Sequence, residues 1–221
     1  LNNSISKNSI SVIIPFFNEE KTIRLVAERS IKYAGEVICV NDGSTDNSVE
    51  RIKELPVTIL NHKRNMGKGK ALRAGFEYIL KTKAEIVITI DADLQHNPDD
   101  IPEFISKCKE YDVVIGSRLN DLSAMPKLRI LSNKITSGLL SLKTGRKILD
   151  SQCGFRAYRR EVLPRLLNSI NGFEAESMHL ISAGRNGAEF GFVNIPTIYG
   201  DDSSKMRNFE AVVGFVKVMF M

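Results

Sequence analysis

Short apolar runs alternate with helical patterns through the first half of the chain, and few folds accept that rhythm. Ser11–Pro15, Val37–Val40, Val57–Leu60, Ile86–Ile90 and Val113–Ile115 are apolar runs with no polar alternation. Strands of this kind are buried on both faces, which means a parallel sheet covered by helices. Between them, the stretch from about Lys21 to Tyr33 carries Ile23, Val26, Ala27 and Ile31 at helical spacing. Asp46 is placed to cap a second helix, and a third runs from Ala71 to about Lys81. Asn97 and Pro98 open a fourth, as cap and first-turn proline. The expected fold is α/β and Rossmann-like, a mostly parallel sheet with helices on both faces. Ligands of such sheets bind beyond the carboxyl ends of the strands. Three polar clusters directly follow a strand: Asn18-Glu19, Asn41-Asp42, and Asp91 through Gln95.

After Arg118 the rhythm fades. A basic amphipathic helix is expected over Lys127–Leu142, then an irregular Asp150–Arg156, two helical stretches and a strand over Phe192–Ile198. With no internal repeat, low-complexity segment or linker, a single domain over 1–221 is expected. Its halves are about 8–118 and 119–221. A chain of 221 residues, 43% of them hydrophobic, can build its core without disulfides. Its three cysteines (Cys39, Cys108, Cys153) are far apart and form no CxxC pair, which suits a reducing cytosol. Cys39, inside an apolar run, reads as a small buried hydrophobe. The net charge of +5 comes from scattered basic residues without interleaved aromatics, which argues against nucleic acid. Phosphorylated substrates and an anionic membrane face fit that charge equally well. No secretory signal pattern and no run of ~18 apolar residues is present. The chain opens on Leu1 and stops inside an apolar stretch, as expected of a fragment cut short at its C-terminus.

Asp91-Ala92-Asp93-Leu94-Gln95-His96 closes the most apolar run. Two carboxylates one residue apart cannot both enter a covered sheet without severe desolvation. Where the chain leaves the strand, Asp91 and Asp93 can reach a hard cation, with Gln95 as a neutral oxygen; Mg²⁺ or Mn²⁺ suits that set. The plainer reading is a solvated turn before the Asn97 cap. Asp42 leaves its strand as an acceptor for a base N–H or a ribose hydroxyl. The turn Gly67–Lys70 is either a phosphate cradle at a helix N-terminus or a solvated basic turn. Neither GxxxxGK[ST] nor GxGxxG is present there, which argues against a P-loop and a dinucleotide-binding dehydrogenase.

In order and spacing these pieces resemble glycosyltransferase family 2, with its inverting GT-A fold. Ser11–Glu20 is similar to V-I-I-P-x-x-N-E-E, and Asn41–Asp46 to D-D-G-S-T-D with Asn in the first place. Asn65–Gly75 resembles N-x-G-K-G-x-A-x-x-x-G, and Asp91–His96 resembles D-A-D-x-Q-H. Gly116-Ser117-Arg118 and Asp150–Arg156 are similar to the branch of dolichol-phosphate mannose synthases and polyprenyl-phosphate glycosyltransferases. The resemblance implies that Pro15, Phe17, Glu19 and Asp42 line the nucleotide pocket, Phe17 standing where many members carry Tyr. It implies that Lys68, Asp91, Asp93 and Gln95 address the donor diphosphate and metal, and that Arg118, Arg129 and Ser132 hold an acceptor phosphate. Arg129 reads equally as the solvated face of a basic helix. One departure concerns Tyr199, which occupies the place of an Arg expected before Ser204-Lys205. Tyr199-Gly200-Asp201-Asp202 resembles instead bacterial and archaeal members with T-I-Y-G-D-E-x-S; Lys205 remains a phosphate contact or flap residue. With no Trp, the chain lacks the Q-x-x-R-W motif of processive polysaccharide synthases.

The chemistry implied is an in-line displacement at the anomeric carbon of a nucleotide-sugar donor, with Asp93, Arg118 and Asp150 as the catalytic set. A hydroxyl acceptor needs a general base, Asp150 or Glu176, whereas a polyprenyl phosphate arrives ionised. Glu174 and Glu176 read equally as helix surface charges. The apolar Val212–Met221 tail, with Phe209 before it, suits a membrane interface, core packing or the start of a membrane segment. A peripheral position at the cytosolic membrane face follows from a polyprenyl-phosphate acceptor. The alternatives are a family member using a hydroxyl acceptor and a silent nucleotide-sugar-binding module.

Overall fold

The computed structural model describes residues 5–119, 127–167 and 175–196. Among them the β-α rhythm is present as β1 (Ile10–Phe16), α1 (Ile23–Ile31), β2 (Glu36–Asn41), α2 (Ser48–Ile52), β3 (Thr58–Asn61) and α3 (Lys68–Ile79). It continues through β4 (Ile86–Thr89), α4 (Ile101–Lys107), β5 (Val113–Ser117), α5 (Lys127–Thr144), β6 (Arg156–Arg159), α6 (Leu163–Leu167), α7 (Ala175–Arg185) and β7 (Phe190–Asn194). The strands form one sheet in the order β3-β2-β1-β4-β6-β5-β7, so both halves of the chain contribute to it. Every pairing is parallel except those of β6, which runs antiparallel to β4 and β5.

The apolar runs become strands buried on both faces: every residue of β1 is buried, and Val12, Ile13 and Ile14 have no exposed surface. Pro15 lies in β1 beyond its paired stretch with β4, which ends at Ile13, so its missing N–H costs nothing on that side. β2 and β3 lie to one side of β1 and β4 to the other. Strand order therefore reverses at β1, and the crevice above its carboxyl end is where open α/β sheets bind ligands.

Three local expectations change. The stretch expected to be irregular up to Arg156 gives way to β6, whose first residue is a fully buried arginine. Asp46 lies one residue ahead of the α2 cap position, which Asn47 occupies. Its Oδ1 accepts from the N–H and hydroxyl of Ser48 (3.0 and 2.5 Å), while Oδ2 accepts from the Glu20 N–H (3.2 Å), tying the loops after β1 and β2 together. The strand expected over Phe192–Ile198 runs instead over Phe190–Asn194. Glu174, Tyr199, Lys205 and the Val212–Met221 tail lie outside the described residues. Among the described residues, no helix is long and apolar enough to cross a membrane.

Candidate active site

A cavity of about 380 Å³ opens above the carboxyl ends of β1, β2 and β4, lined by Pro15, Phe17, Glu19, Asp42, Lys68, Asp91 and Asp93 among others. These residues come from loops far apart in sequence, and the register of three parallel strands brings them together. Gln95 is not part of the lining; its backbone N–H donates to Asp93 Oδ1 at 3.0 Å. Phe17 is 40% exposed. Two non-glycine residues adopt left-handed backbone here, Asn18 (φ 57°) and Leu94 (φ 60°). Asn18 is held by its neighbours: its N–H donates to Ser44 Oγ (3.0 Å) and its Oδ1 accepts from the Thr45 N–H (2.8 Å). Leu94 has no such polar compensation in its side chain, and a left-handed leucine is strained backbone of the kind that clusters at functional sites.

Asp42 organises the loop ahead of α3. Its Oδ1 accepts from the Met66 N–H (2.9 Å) and lies 2.7 Å from His62 Nδ1, and its Oδ2 accepts from the Gly67 N–H (2.7 Å). Of about four acceptor sites on a carboxylate, three are thus used within the protein. Gly67 has φ 90°, which side-chain-bearing residues rarely adopt, and it lets α3 begin at Lys68. Lys68 Nζ sits 2.5 Å from Asp91 Oδ1 and 3.1 Å from Glu176 Oε1. Burial works against the ammonium, but Asp91 and Glu176 outweigh it and hold Lys68 above its ordinary range. Burial likewise works against ionised Asp91, yet the charge and hydrogen bond of Lys68 keep its acid below the usual carboxylate range. Asp93 moves the other way, pushed up by burial and by the charge of Asp91. Gly154 packs tightly against this group: a Cβ there would stand 2.5 Å from Asp91 Oδ2 and 2.7 Å from Lys68 Nζ.

Outside the cavity lining, Arg118, Ser132, Asn133, Asp150 and Gln152 form a buried polar network. Arg118, 3% exposed, grips the fully buried Asp150 through Nε–Oδ2 (2.8 Å) and Nη2–Oδ1 (2.9 Å). The Arg118 and Gln152 N–H groups and Asn133 Nδ2 also donate to Asp150, for five bonds in all. Burial pushes the Asp150 acid up, but Arg118 and Asn133 more than offset it and the group ends below the usual range. The five bonds occupy the acceptor capacity of Asp150, which the sequence reading offered as a base. Gln152 Nε2 donates to Ser132 Oγ (3.2 Å), which places Ser132 on the edge of the same network. Arg129 lies in α5 with its side chain outside the described atoms, as all of Lys205 is. Arg156 donates from Nε, Nη1 and Nη2 to the carbonyls of Cys153, Glu176 and Ser151, each at 2.8 Å. It thereby ties the 151–153 loop to α7.

Sequence reasoning singled out the Gly67–Lys70 turn but missed Phe16, Asn65, Ala71 and Ala92 in the cavity wall, Gly154 against Asp91, and the role of Asn133. Asn65 carried a signal, since it belongs to the N-x-G-K-G resemblance. Gly154 and Asn133 carried none, because their roles arise from packing across long sequence separations.

The sheet order, its reversal at β1 and the carboxylate-lysine cleft match the GT-A fold. Crystal structures of glucosyl-3-phosphoglycerate synthase from Mycobacterium tuberculosis share the fold. The complex with phosphoglyceric acid gives a TM-score of 0.73 at 21% identity, over 96% of this chain and 78% of that one. Other crystals of that enzyme hold UDP with Mn²⁺ or Mg²⁺. The chain belongs to glycosyl transferase family 2, whose family model matches residues 11–167. It is 33% identical, over 93% of its length and 92% of the relative's, to the UDP-N-acetylglucosamine–dolichyl-phosphate N-acetylglucosaminyltransferase of Methanococcus voltae. A protein of unassigned function from Methanocaldococcus jannaschii is 34% identical over 99% of this chain and 92% of its own. The undecaprenyl-phosphate 4-deoxy-4-formamido-L-arabinose transferase of Proteus mirabilis is 36% identical over 72% of this chain. The match spans only about half of that relative's length (52%).

Proposed function

We propose that this protein transfers a sugar, with inversion, from a nucleoside-diphosphate sugar to a polyprenyl phosphate at the cytosolic face of a membrane. The observation that carries this reading is the state of Asp150 and Glu176, the two carboxylates that the sequence offers as bases. Asp150 accepts five hydrogen bonds, and Glu176 is paired with Lys68. A hydroxyl acceptor would need one of them to take its proton, whereas a phosphate oxygen is already ionised at neutral pH. The names of the Methanococcus voltae and Proteus mirabilis relatives point to the same acceptor class.

In this reading the donor base and ribose lie along Pro15, Phe17 and Glu19, with Asp42 fixing the wall behind them. Lys68 faces the diphosphate, and Arg118, held rigid by Asp150, aims the acceptor phosphate, with Ser132, Arg129 and Lys205 as further contacts. The new bond forms between a phosphate oxygen and the anomeric carbon. The bond from that carbon to the diphosphate oxygen breaks, and the electron pair leaves with the nucleoside diphosphate. Asp91 and Asp93 would hold Mg²⁺ or Mn²⁺, with Gln95 as a third oxygen. Two observations fit: Asp93 is pushed up by burial and by the charge of Asp91, both of which a cation would offset, and the ligand set is all oxygen. Among the described residues no group of three or more His, Cys, Asp or Glu is arranged as a complete cage, which leaves coordination to the donor phosphates. When bound, the cation supplies a Lewis acid for charge growing on the departing diphosphate. Incubating the protein with UDP- and GDP-sugars and a polyprenyl phosphate, while following nucleotide release and glycolipid formation, tests the reading. A sugar-phospholipid product is expected. Tight nucleotide binding without turnover on any donor would mean a silent binding module instead.

A further inference from the structure

The parallel register of β2 and β3 pairs Asn41 with Asn61, so the next residues, Asp42 and His62, leave their strands side by side. Asn41 Nδ2 donates to Asn61 Oδ1 (2.9 Å) and the His62 N–H to the Asn41 carbonyl (2.9 Å), which fixes the two strand ends against each other. His62 Nδ1 then lies 2.7 Å from Asp42 Oδ1, with the His62 side chain 15% exposed and that of Asp42 5%. A carboxylate only accepts, so Nδ1 carries the proton. No step of the proposed transfer uses this histidine.

What it does is limit Asp42. Oδ1 receives two donors, His62 Nδ1 and the Met66 N–H (2.9 Å), while Oδ2 receives one, the Gly67 N–H (2.7 Å). A carboxylate offers about four acceptor sites, two on each oxygen, so the one left for a ligand in the cavity that Asp42 lines is on Oδ2. Two neighbouring side chains of the lining are engaged as well: Glu19 Oε2 accepts from Thr22 Oγ1 (3.0 Å) and Asn65 Oδ1 from the Gly67 N–H (3.1 Å). Uracil presents one ring N–H, which a single acceptor satisfies. Guanine presents two parallel N–H groups on one edge and needs both oxygens of a carboxylate; here one of the two would be buried without a partner. We propose that His62 is the positioning residue that sets base choice. By closing Oδ1 it makes Asp42 a one-site acceptor, and the donor is a uridine rather than a guanosine diphosphate sugar. The proposal rests on the nucleotide pocket argued above and adds to it the base and the residue that selects it.

The test is calorimetric binding of UDP, GDP and inosine diphosphate in the presence of Mn²⁺. Inosine diphosphate is GDP without the exocyclic amine, so it combines the purine ring with a single N–H on that edge. UDP should bind at least about tenfold tighter than GDP, and inosine diphosphate at least about fivefold tighter than GDP, as a buried N–H without a partner predicts. His62→Phe keeps a ring and removes the donor. By freeing Oδ1 it should bring GDP to within about twofold of inosine diphosphate. His62→Asn, whose amide can donate from the place of Nδ1, should restore the wild-type preference. A histidine with a structural role alone would weaken all three nucleotides together and leave their ratios unchanged on substitution, which would overturn the proposal. So would a wild type that binds GDP as tightly as UDP or inosine diphosphate, a result that needs no variant. A clear preference for UDP without sugar transfer to any polyprenyl phosphate would uphold the base choice and sink the acceptor reading. No binding of any of the three would sink the nucleotide pocket and the proposal with it.

Discussion

The cleft and the buried polar network outside its lining are built on opposite plans. On the donor side, charged groups border a cavity: Lys68 pairs with Asp91 and Glu176, and Asp93 accepts from the Gln95 N–H. On the acceptor side, the ionised groups are taken out of water and saturated: Arg118 and Asp150 are each at most 3% exposed. In the proposed function, a cleft that exchanges nucleotide and cation keeps its charged groups beside open space. A network that only aims a phosphate can afford to be rigid. The contrast predicts that donor-side substitutions damage function and spare the fold, and that acceptor-side substitutions damage both.

The largest effect is expected on the donor side. Asp93→Ala should reduce turnover by about a thousandfold or more, by analogy with loss of a principal electrostatic contact in an active site. It should also abolish any Mn²⁺-dependent gain in nucleotide affinity by calorimetry, with an unchanged thermal melt; loss of the fold would break the contrast. On the acceptor side, Arg118→Ala or Asp150→Ala leaves one buried charge uncompensated and should cost ~3–5 kcal/mol by denaturant unfolding. The double variant Arg118→Met/Asp150→Leu should regain much of that stability but none of the activity. If the single variants stay fully stable, the rigid-network description is wrong.

A smaller effect is expected where the two meet. Gly154→Ala pushes a methyl group into Asp91 and Lys68 and should lower kcat about ten- to a hundredfold, consistent with a misplacement of about an ångström, with little change in stability. The smallest concerns His179, fully buried with neither ring nitrogen hydrogen-bonded among the described residues. Burial pushes its pKa from 6.5 down to about 3, with the Arg156 charge adding to the shift. Between those values the unfolded chain binds the proton and the folded protein does not, so stability rises with pH across that window and is lost as pH falls below 6.5. His179→Leu should flatten that slope and stabilise the protein by ~1 kcal/mol at neutral pH, since it removes unpaired polar atoms. Denaturant midpoints measured across pH for both proteins check this.

The same contrast explains what the sequence disclosed. Donor-side motifs are contiguous and follow apolar runs, so Pro15, Glu19, Asp42, Lys68, Asp91 and Asp93 could be placed at one sheet edge before any coordinates. Even there, the clamp that Asp42 applies to Met66 and Gly67 was hidden, because backbone N–H groups carry no residue signature. On the acceptor side, β6 was hidden by its own arginines: Arg156 reads as a surface residue, and only the three carbonyls that receive it make its burial tolerable. The bonds that Asp150 accepts from Arg118 and Asn133 were not legible, because those donors lie far from it in sequence. The basic character of α5 was legible, but not which of its faces points outward.

In the proposed reaction the acceptor brings its own charge, because Asp150 and Glu176 are engaged by five hydrogen bonds and by Lys68 respectively. One comparison tests this most directly: transfer from the same nucleotide sugar to a polyprenyl phosphate and to the corresponding polyprenol in matched vesicles. The account predicts glycolipid from the phosphate and none from the alcohol. Equal product from the alcohol would contradict it and return Asp150 or Glu176 to the role of base.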